Sequence, residues 1–319
     1  MNQETKGTLL TLLGGMSWGI SGSIGQYLFQ YQGMDSRWLV PIRLGLAGIL
    51  MLAWYIFRNG IKKALAPWHT DPIELLIYGL IGVSACQFTY FLTIQLSTAG
   101  VATIMQDLSP ITILLVTCIL NKRMPRRLEL LSIVLALSGV FLITTHGNLS
   151  STAVPVSAII SGCISALAVT VYNMVPVHLM RKYPVFLMQG WAFLMGGCAA
   201  SLIFHPWSYH YVPSLPGLAG IAGVVLIGNV LAFTAYMQGV KYIGAGKAIL
   251  YGFSEPVTAA VISTVLLHSP FTIADGIGFA AIFLMLVLIS ISGKQRTGAK
   301  TAPATASASA PAQSSTIRK

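Results

Sequence analysis

Charge is what this 319-residue chain has least of: Asp, Glu, Lys and Arg make up only 8% of it. Soluble domains carry about 25% charged residues, so a water-facing globular surface is excluded and an integral membrane protein is expected. Acidic residues are the scarcest, 8 against 19 basic ones. The resulting charge of +11 needs no polyanionic ligand, because basic residues of membrane proteins gather in cytoplasmic loops; nucleic acid is not an expected partner. Cysteine is also sparse. Cys86, Cys118, Cys163 and Cys198 fall in four separate apolar segments, which excludes a disulfide framework and a cysteine zinc site. Missing too are a phosphate-binding glycine loop with its Lys and a zinc-protease helix with paired His. The chain is therefore expected to be no enzyme, to hydrolyse no ATP and to carry no metal or cofactor. His146, His178, His205, His210 and His268 stand near span ends or in loops, where solvated histidine is the default.

Long apolar runs are what the chain has in plenty. They divide at charged or turn-forming clusters into ten segments, about 8–29, 38–57, 73–96, 100–120, 128–145, 154–177, 185–204, 217–239, 246–267 and 272–292, each long enough to cross a hydrocarbon layer as a helix. The first has little positive charge before it and exceeds a typical signal-peptide core, so it reads as an uncleaved span. With the N-terminus inside, 16 of the 19 Lys and Arg residues are cytoplasmic. That asymmetry places both termini in the cytoplasm and requires an even number of spans. Trp38, Trp54, Trp68 and Trp207 stand near span ends, as an interfacial aromatic belt would place them. After Gly293 the sequence turns to Ala, Ser, Thr and Pro, and 293–319 is expected to be a disordered cytoplasmic tail.

An internal repeat organises the spans. A shift of 146 positions superposes Gly82 on Gly228, Tyr90 on Tyr236, Gly100 on Gly246, Pro110 on Pro256 and Thr112 on Thr258 without a gap. Each half, 7–147 and 153–292, then holds five spans. An odd number makes the second half enter the membrane in the opposite direction. The expected fold is all-α, with ten transmembrane helices as two inverted five-helix repeats and a substrate site near the midplane between them.

The ionisable residues inside spans are the candidates for chemistry, because a charge at a helix centre costs about 2.5 to 3.5 kcal/mol on insertion scales and is kept for a cavity or a partner. Glu255 lies roughly 15 Å along its segment, near the midplane. It reads either as a protonatable coupling carboxyl or as a permanently neutral or paired group that fixes helix packing. Pro256 next to it leaves the carbonyl of Gly252 without a helical donor, and Pro110 does the same to Gln106 in the other half. Paired helix interruptions point to a binding site. Lys247 and Tyr251 share a broad helix face with Glu255, and Lys247 can either snorkel to the surface or face the cavity. Arg43 and Asp107 stand at comparable depth. They fit an outer gate, a clamp for a substrate carboxylate with Arg43 as the fork, or packing glue. Gln87, Tyr90, Gln106, Asn173, Gln189, Asn229 and Tyr236 are uncharged polar residues within spans, some of which would line a cavity. Gly14, Gly15, Gly19, Gly22 and Gly25 read as close-packing positions.

Four motifs in this order resemble the drug/metabolite transporter superfamily, specifically its ten-helix members with two EamA domains. They are Ser17-Trp18-Gly19, Ile42-Arg43-Leu44, Ala99-Gly100-Val101-Ala102 with Leu108-Ser109-Pro110, and Gly246-Lys247-Ala248 leading to Ser254-Glu255-Pro256. The likeness covers about 7–292. It implies transport of small metabolites across a bacterial inner membrane through a central cavity, by alternating access. The Gly-Glu segments common in that family at the ends of the fourth and ninth spans are replaced here by Asn121-Lys122-Arg123 and His268-Ser269-Pro270, so no role of that acid carries over.

The expected function is secondary active transport, as an exporter, of an amino acid or similar metabolite, with Glu255 coupling or binding, Arg43 and Asp107 an outer polar pair, and Tyr90, Gln106, Tyr236 and Tyr251 as substrate contacts. Protons are an expected partner besides the lipid bilayer. A proton-independent exchanger or facilitator remains open, as does a non-transporting membrane sensor or scaffold, which the short loops argue against.

Overall fold

The computed structural model describes residues 2–146, 154–175 and 178–301, and among them every regular element is helical. The N-terminal half contains α1 (Gln3–Gln30), α2 (Ser36–Asn59), α3 (Ile61–Thr70), α4 (Pro72–Leu76), a π-helical stretch (Ile77–Ser84), α5 (Ala85–Leu96), α6 (Ala99–Gln106), α7 (Ser109–Leu120) and α8 (Arg127–Thr145). The C-terminal half contains α9 (Val156–Met174), α10 (Leu179–Lys182), α11 (Val185–Phe204), α12 (Leu215–Gly223), a second π-helical stretch (Val224–Leu231), α13 (Ala232–Ile243), α14 (Ala245–Gly252), α15 (Ser254–Val265) and α16 (Ile273–Thr301). Eight helical runs among the described residues are long and apolar enough to cross a membrane. The segment α1 and the broken pair α14–α15 pack among them.

Local chemistry sets the boundaries. The Asp35 carboxylate caps α2 by accepting from the Arg37 amide at 2.7 Å, and the Thr98 hydroxyl caps α6 by accepting from the Val101 amide. Gly60 and Gly244, at φ of 85° and 79°, turn the chain between α2 and α3 and between α13 and α14, a conformation that costs any residue with a Cβ. The short helices α3 and α10 lie within connections that the hydropathy pattern passes over. The last helix continues to Thr301, past the point where composition begins the tail; residues 302–319 lie outside the described residues.

The strongest helix contacts are α2 with α11, α8 with α16, α1 with α13 and α5 with α9. Each joins one half to the other, so neither half has a self-contained core. Exchanging the halves maps this set of contacts onto itself. The π-helical stretches obey the same relation, lying within one residue of the offset that superposes Gly82 on Gly228. So do the interruptions after Gln106 and Gly252.

Two of the four tryptophans depart from the belt expectation. Trp38 is buried and meets Tyr211 edge-on, and Trp68 packs against Trp191, whereas Trp54 and Trp207 are exposed. Closeness to a span end fixes depth, but the helix rotation decides whether an indole faces lipid or a neighbour.

Candidate functional site

Both helix interruptions open onto one central cavity of about 230 Å³. Asp107, Ser109 and Pro110 reach it from the first interruption, Gly252 and Glu255 from the second, and Trp18, Arg43, Tyr90 and Tyr236 from packed neighbours. Proline at the second position of α7 and the missing helical bonds around it free backbone for this wall. Small residues bring α1 close. A Cβ on Gly19 would stand 2.5 Å from the Glu255 carbonyl oxygen, and one on Gly22 2.7 Å from the Tyr90 hydroxyl. These glycines are close-packing positions, and what they pack against is the cavity wall.

Arg43 is the most enclosed cation of the site, 2% exposed. Its Nη2 donates to Gln87 Oε1 at 2.7 Å and to Asn229 Oδ1 at 2.8 Å, and its guanidinium lies 3.7 Å from the centroid of the Phe91 ring. Asn229 comes from the second π-helical stretch, where wider turns often mark functional positions. The paired Arg43 and Asp107 suggested by their equal depth is not formed: no ion pair of Arg43 occurs among the described residues. Neutral amide oxygens and a π face hold the guanidinium instead. Arg43 Nε and Nη1, Asn229 Nδ2 and Asp107 Oδ2 are buried without a hydrogen-bond partner in the protein. Such groups cost about 1–3 kcal/mol each when left unpaired.

The acidic side of the cavity is formed by Glu255 and Asp107. The Tyr90 hydroxyl donates to Glu255 Oε1 at 3.4 Å. Gln106 lines the cavity and donates to Cys86 Sγ, also on its wall, at 2.9 Å. An aromatic wall completes the site, with Trp18 4.9 Å from Tyr236 and 5.9 Å from Phe233 between ring centroids.

Two sequence candidates stand elsewhere. Lys247 is exposed and ion-paired with Glu4, its long stem reaching the surface. Tyr251 does not line the cavity. One histidine differs from the solvated default. His146 Nδ1 is 2.6 Å from buried Asp275, whereas His178 is exposed, as expected, and meets Glu74 at 3.2 Å. The polar set of the site was visible in the sequence, but Phe91, Cys86 and Tyr172 were not, since an aromatic or thiol in an apolar span carries no signal of its own.

The cavity extends toward the face that bears the N-terminus. Met237 and Asn173 line it near the ends of α13 and α9, and a Cβ on Gly7, at the start of α1, would touch Ile243 and Tyr242 at the end of α13.

Comparison with known proteins gives a consistent match. The EamA-like transporter family matches residues 5–145 and again 156–291. The uncharacterized inner membrane transporter YicL of Salmonella typhimurium is 31% identical over 299 residues, spanning 94% of this chain and 100% of that one. The uncharacterized inner membrane transporter YedA of Escherichia coli is 26% identical over 256 residues, spanning 79% and 81%. A solved crystal structure with 15% sequence identity superposes with a TM-score of 0.62 over 92% of this chain and 99% of that one, a likeness of fold alone.

Proposed function

Because the chain belongs to the EamA-like transporter family, we propose that it is a secondary active transporter of the bacterial inner membrane that exports an amino acid or a similar small metabolite by alternating access. In this reading all ten apolar segments cross the membrane, both termini are cytoplasmic, and the two five-helix units run in opposite directions around the central cavity.

The observation that carries the substrate assignment is the set of unpaired polar atoms in that cavity. Arg43 Nε and Nη1 and Asn229 Nδ2 are donors without acceptors, and Asp107 Oδ2 is an acceptor without a donor. A ligand with a carboxylate at one end and an ammonium at the other supplies both. The aromatic wall of Trp18, Phe233 and Tyr236 accommodates its apolar body. Glu255 is the coupling group: a carboxyl held in the cavity by the Tyr90 hydroxyl binds a proton in one orientation of the transporter and releases it in the other.

The test is flux in proteoliposomes under an imposed pH gradient, with substrates taken from a thermal-shift screen of amino acids and related zwitterions. Wild-type protein should move the hit with the gradient, and Glu255→Gln should bind it but lose the proton drive. Full gradient-driven flux by Glu255→Gln would remove the coupling role. Equal counterflow at every pH would mean exchange.

A further inference from the structure

We propose that Gln26 is the latch of a gate that seals the central cavity from the face opposite the N-terminus. The inference rests on the alternating-access reading above and adds to it the place where the protein opens. Gln26 is completely buried, yet both ends of its amide are fully used. Its Oε1 accepts from the Ala99 backbone amide at 2.8 Å and from the Ser263 hydroxyl at 2.7 Å; its Nε2 donates to Ser269 Oγ at 2.8 Å and to Gln30 Oε1 at 3.2 Å. One side chain of α1 thus ties together the first turn of α6, the last turns of α15 and the loop that follows.

Those are the ends of the two interrupted helices. α6 and α15 also touch directly, since a Cβ on Gly100 would lie 3.3 Å from Ala260 Cα. A second cavity, of about 310 Å³, lies on the far side of this contact and is lined by Ser97, Thr98, Gly100, Ala260, Ser263 and Ser269. It shares no lining residue with the central cavity. The two cavities are therefore separate; in this proposal the second is a vestibule, closed off from the first where buried Ala99, Ala259 and Gln26 pack together. Parting α6 from α15 would join the two, and it requires the Gln26 bonds to break. Four hydrogen bonds among neutral groups suit a latch: the small net stabilisation of each is enough to bias the closed state and little enough to be exchanged in turnover.

The experiment reads accessibility and needs no substrate. Ser109, on the central cavity, is changed to Cys in the full-length chain with Cys86, Cys118, Cys163 and Cys198 replaced by Ala. The protein is reconstituted in phospholipid vesicles of known orientation and exposed to a membrane-impermeant maleimide from each face. The parent should label from the N-terminal face. Gln26→Ala should raise the rate from the opposite face about fivefold or more, the equivalent of about 1 kcal/mol, with an unchanged total reached by a permeant maleimide. The double variant Ser263→Ala, Ser269→Ala keeps Gln26 and removes two of its partners; it should shift the rate the same way and decides the matter if Gln26→Ala fails to fold. An unchanged ratio of the two rates in a folded variant overturns the latch. Because neither a substrate nor a gradient is used, that result leaves the transport reading standing, and a failed flux assay leaves the latch standing.

Discussion

Arg43 and Asn229, 186 positions apart, meet through a 2.8 Å hydrogen bond that joins the second helix of one half to the π-helical stretch of the other. The buried cation is held by an amide where a carboxylate would neutralise it. In the proposed reading, a neutral holder leaves the positive charge available to a ligand, and the arrangement trades stability for recognition.

Replacing the cation tests that trade. Arg43→Gln should lower the affinity for a carboxylate-bearing ligand by about 10- to 100-fold, the loss of one to two charge-assisted hydrogen bonds, as read by thermal-shift titration. Arg43→Lys should recover only part of it, because an ammonium has neither the planar fork nor the stacking on Phe91. Full recovery by Lys would mean that a point charge is all the site requires.

The close approach of α1 to α15 predicts a sharp contrast between two glycines. Gly19→Ala places its Cβ against the Glu255 carbonyl and the Thr258 side chain and should destabilise the protein by about 1–3 kcal/mol, the cost of overpacking. Gly45→Ala meets nothing within 4 Å and should be neutral or stabilising by up to about 1 kcal/mol through helix propensity. Melting temperatures of the purified variants in one detergent decide it; equal losses would refute the steric account.

Much of this architecture was legible in the sequence because it is written locally. Apolar runs mark helices, Pro110 and Pro256 mark their interruptions, and Arg43, Asp107 and Glu255 within apolar runs mark the cavity, although Lys247 does not. What was illegible depends on rotation and on pairing between halves. Arg43 and Asp107 share a depth but not a partner, since depth is counted along one helix and contact is set by how two helices turn. Gln26 gave no sign for the same reason. A lone amide in an apolar helix looks alike whether it binds one neighbour or, as here, four. The π-helical stretches around Gly82 and Gly228 follow no simple residue pattern, and with them Asn229 was one polar residue among seven.

On the N-terminal face, Asp71 predicts a pH dependence. Partial burial by itself would raise its pKa, but hydrogen bonds from Lys182 and Tyr183 and the charges of Lys182 and His178 outweigh this and hold the carboxyl below its ordinary value. A depressed folded-state pKa contributes stability above the unfolded value and loses it as pH falls through the folded one. Asp71→Asn should therefore be slightly less stable than wild type at neutral pH, with the difference shrinking below about pH 4. Thermal midpoints of both proteins across pH 3 to 7 measure it, and a gap that widens toward acid would reverse the sign.

Asn229→Asp tests the cavity from the other direction. A carboxylate at this position would turn the 2.8 Å amide contact into an ion pair with Arg43 and remove the unpaired Nδ2. Where Asn229 accepts from a cation, a charged acceptor strengthens the bond, and hydrogen bonds to charged groups are worth about 1.5–3 kcal/mol. The variant should melt higher than wild type. It should also bind the carboxylate ligand at least about tenfold more weakly, because the protein has then supplied the anion itself. A variant both more stable and less able to bind would show that the neutrality of Asn229 is a functional choice, since packing alone would favour the acid. If binding survived intact, the ligand's carboxylate would have to lie elsewhere, and Arg43 would be a structural cation after all.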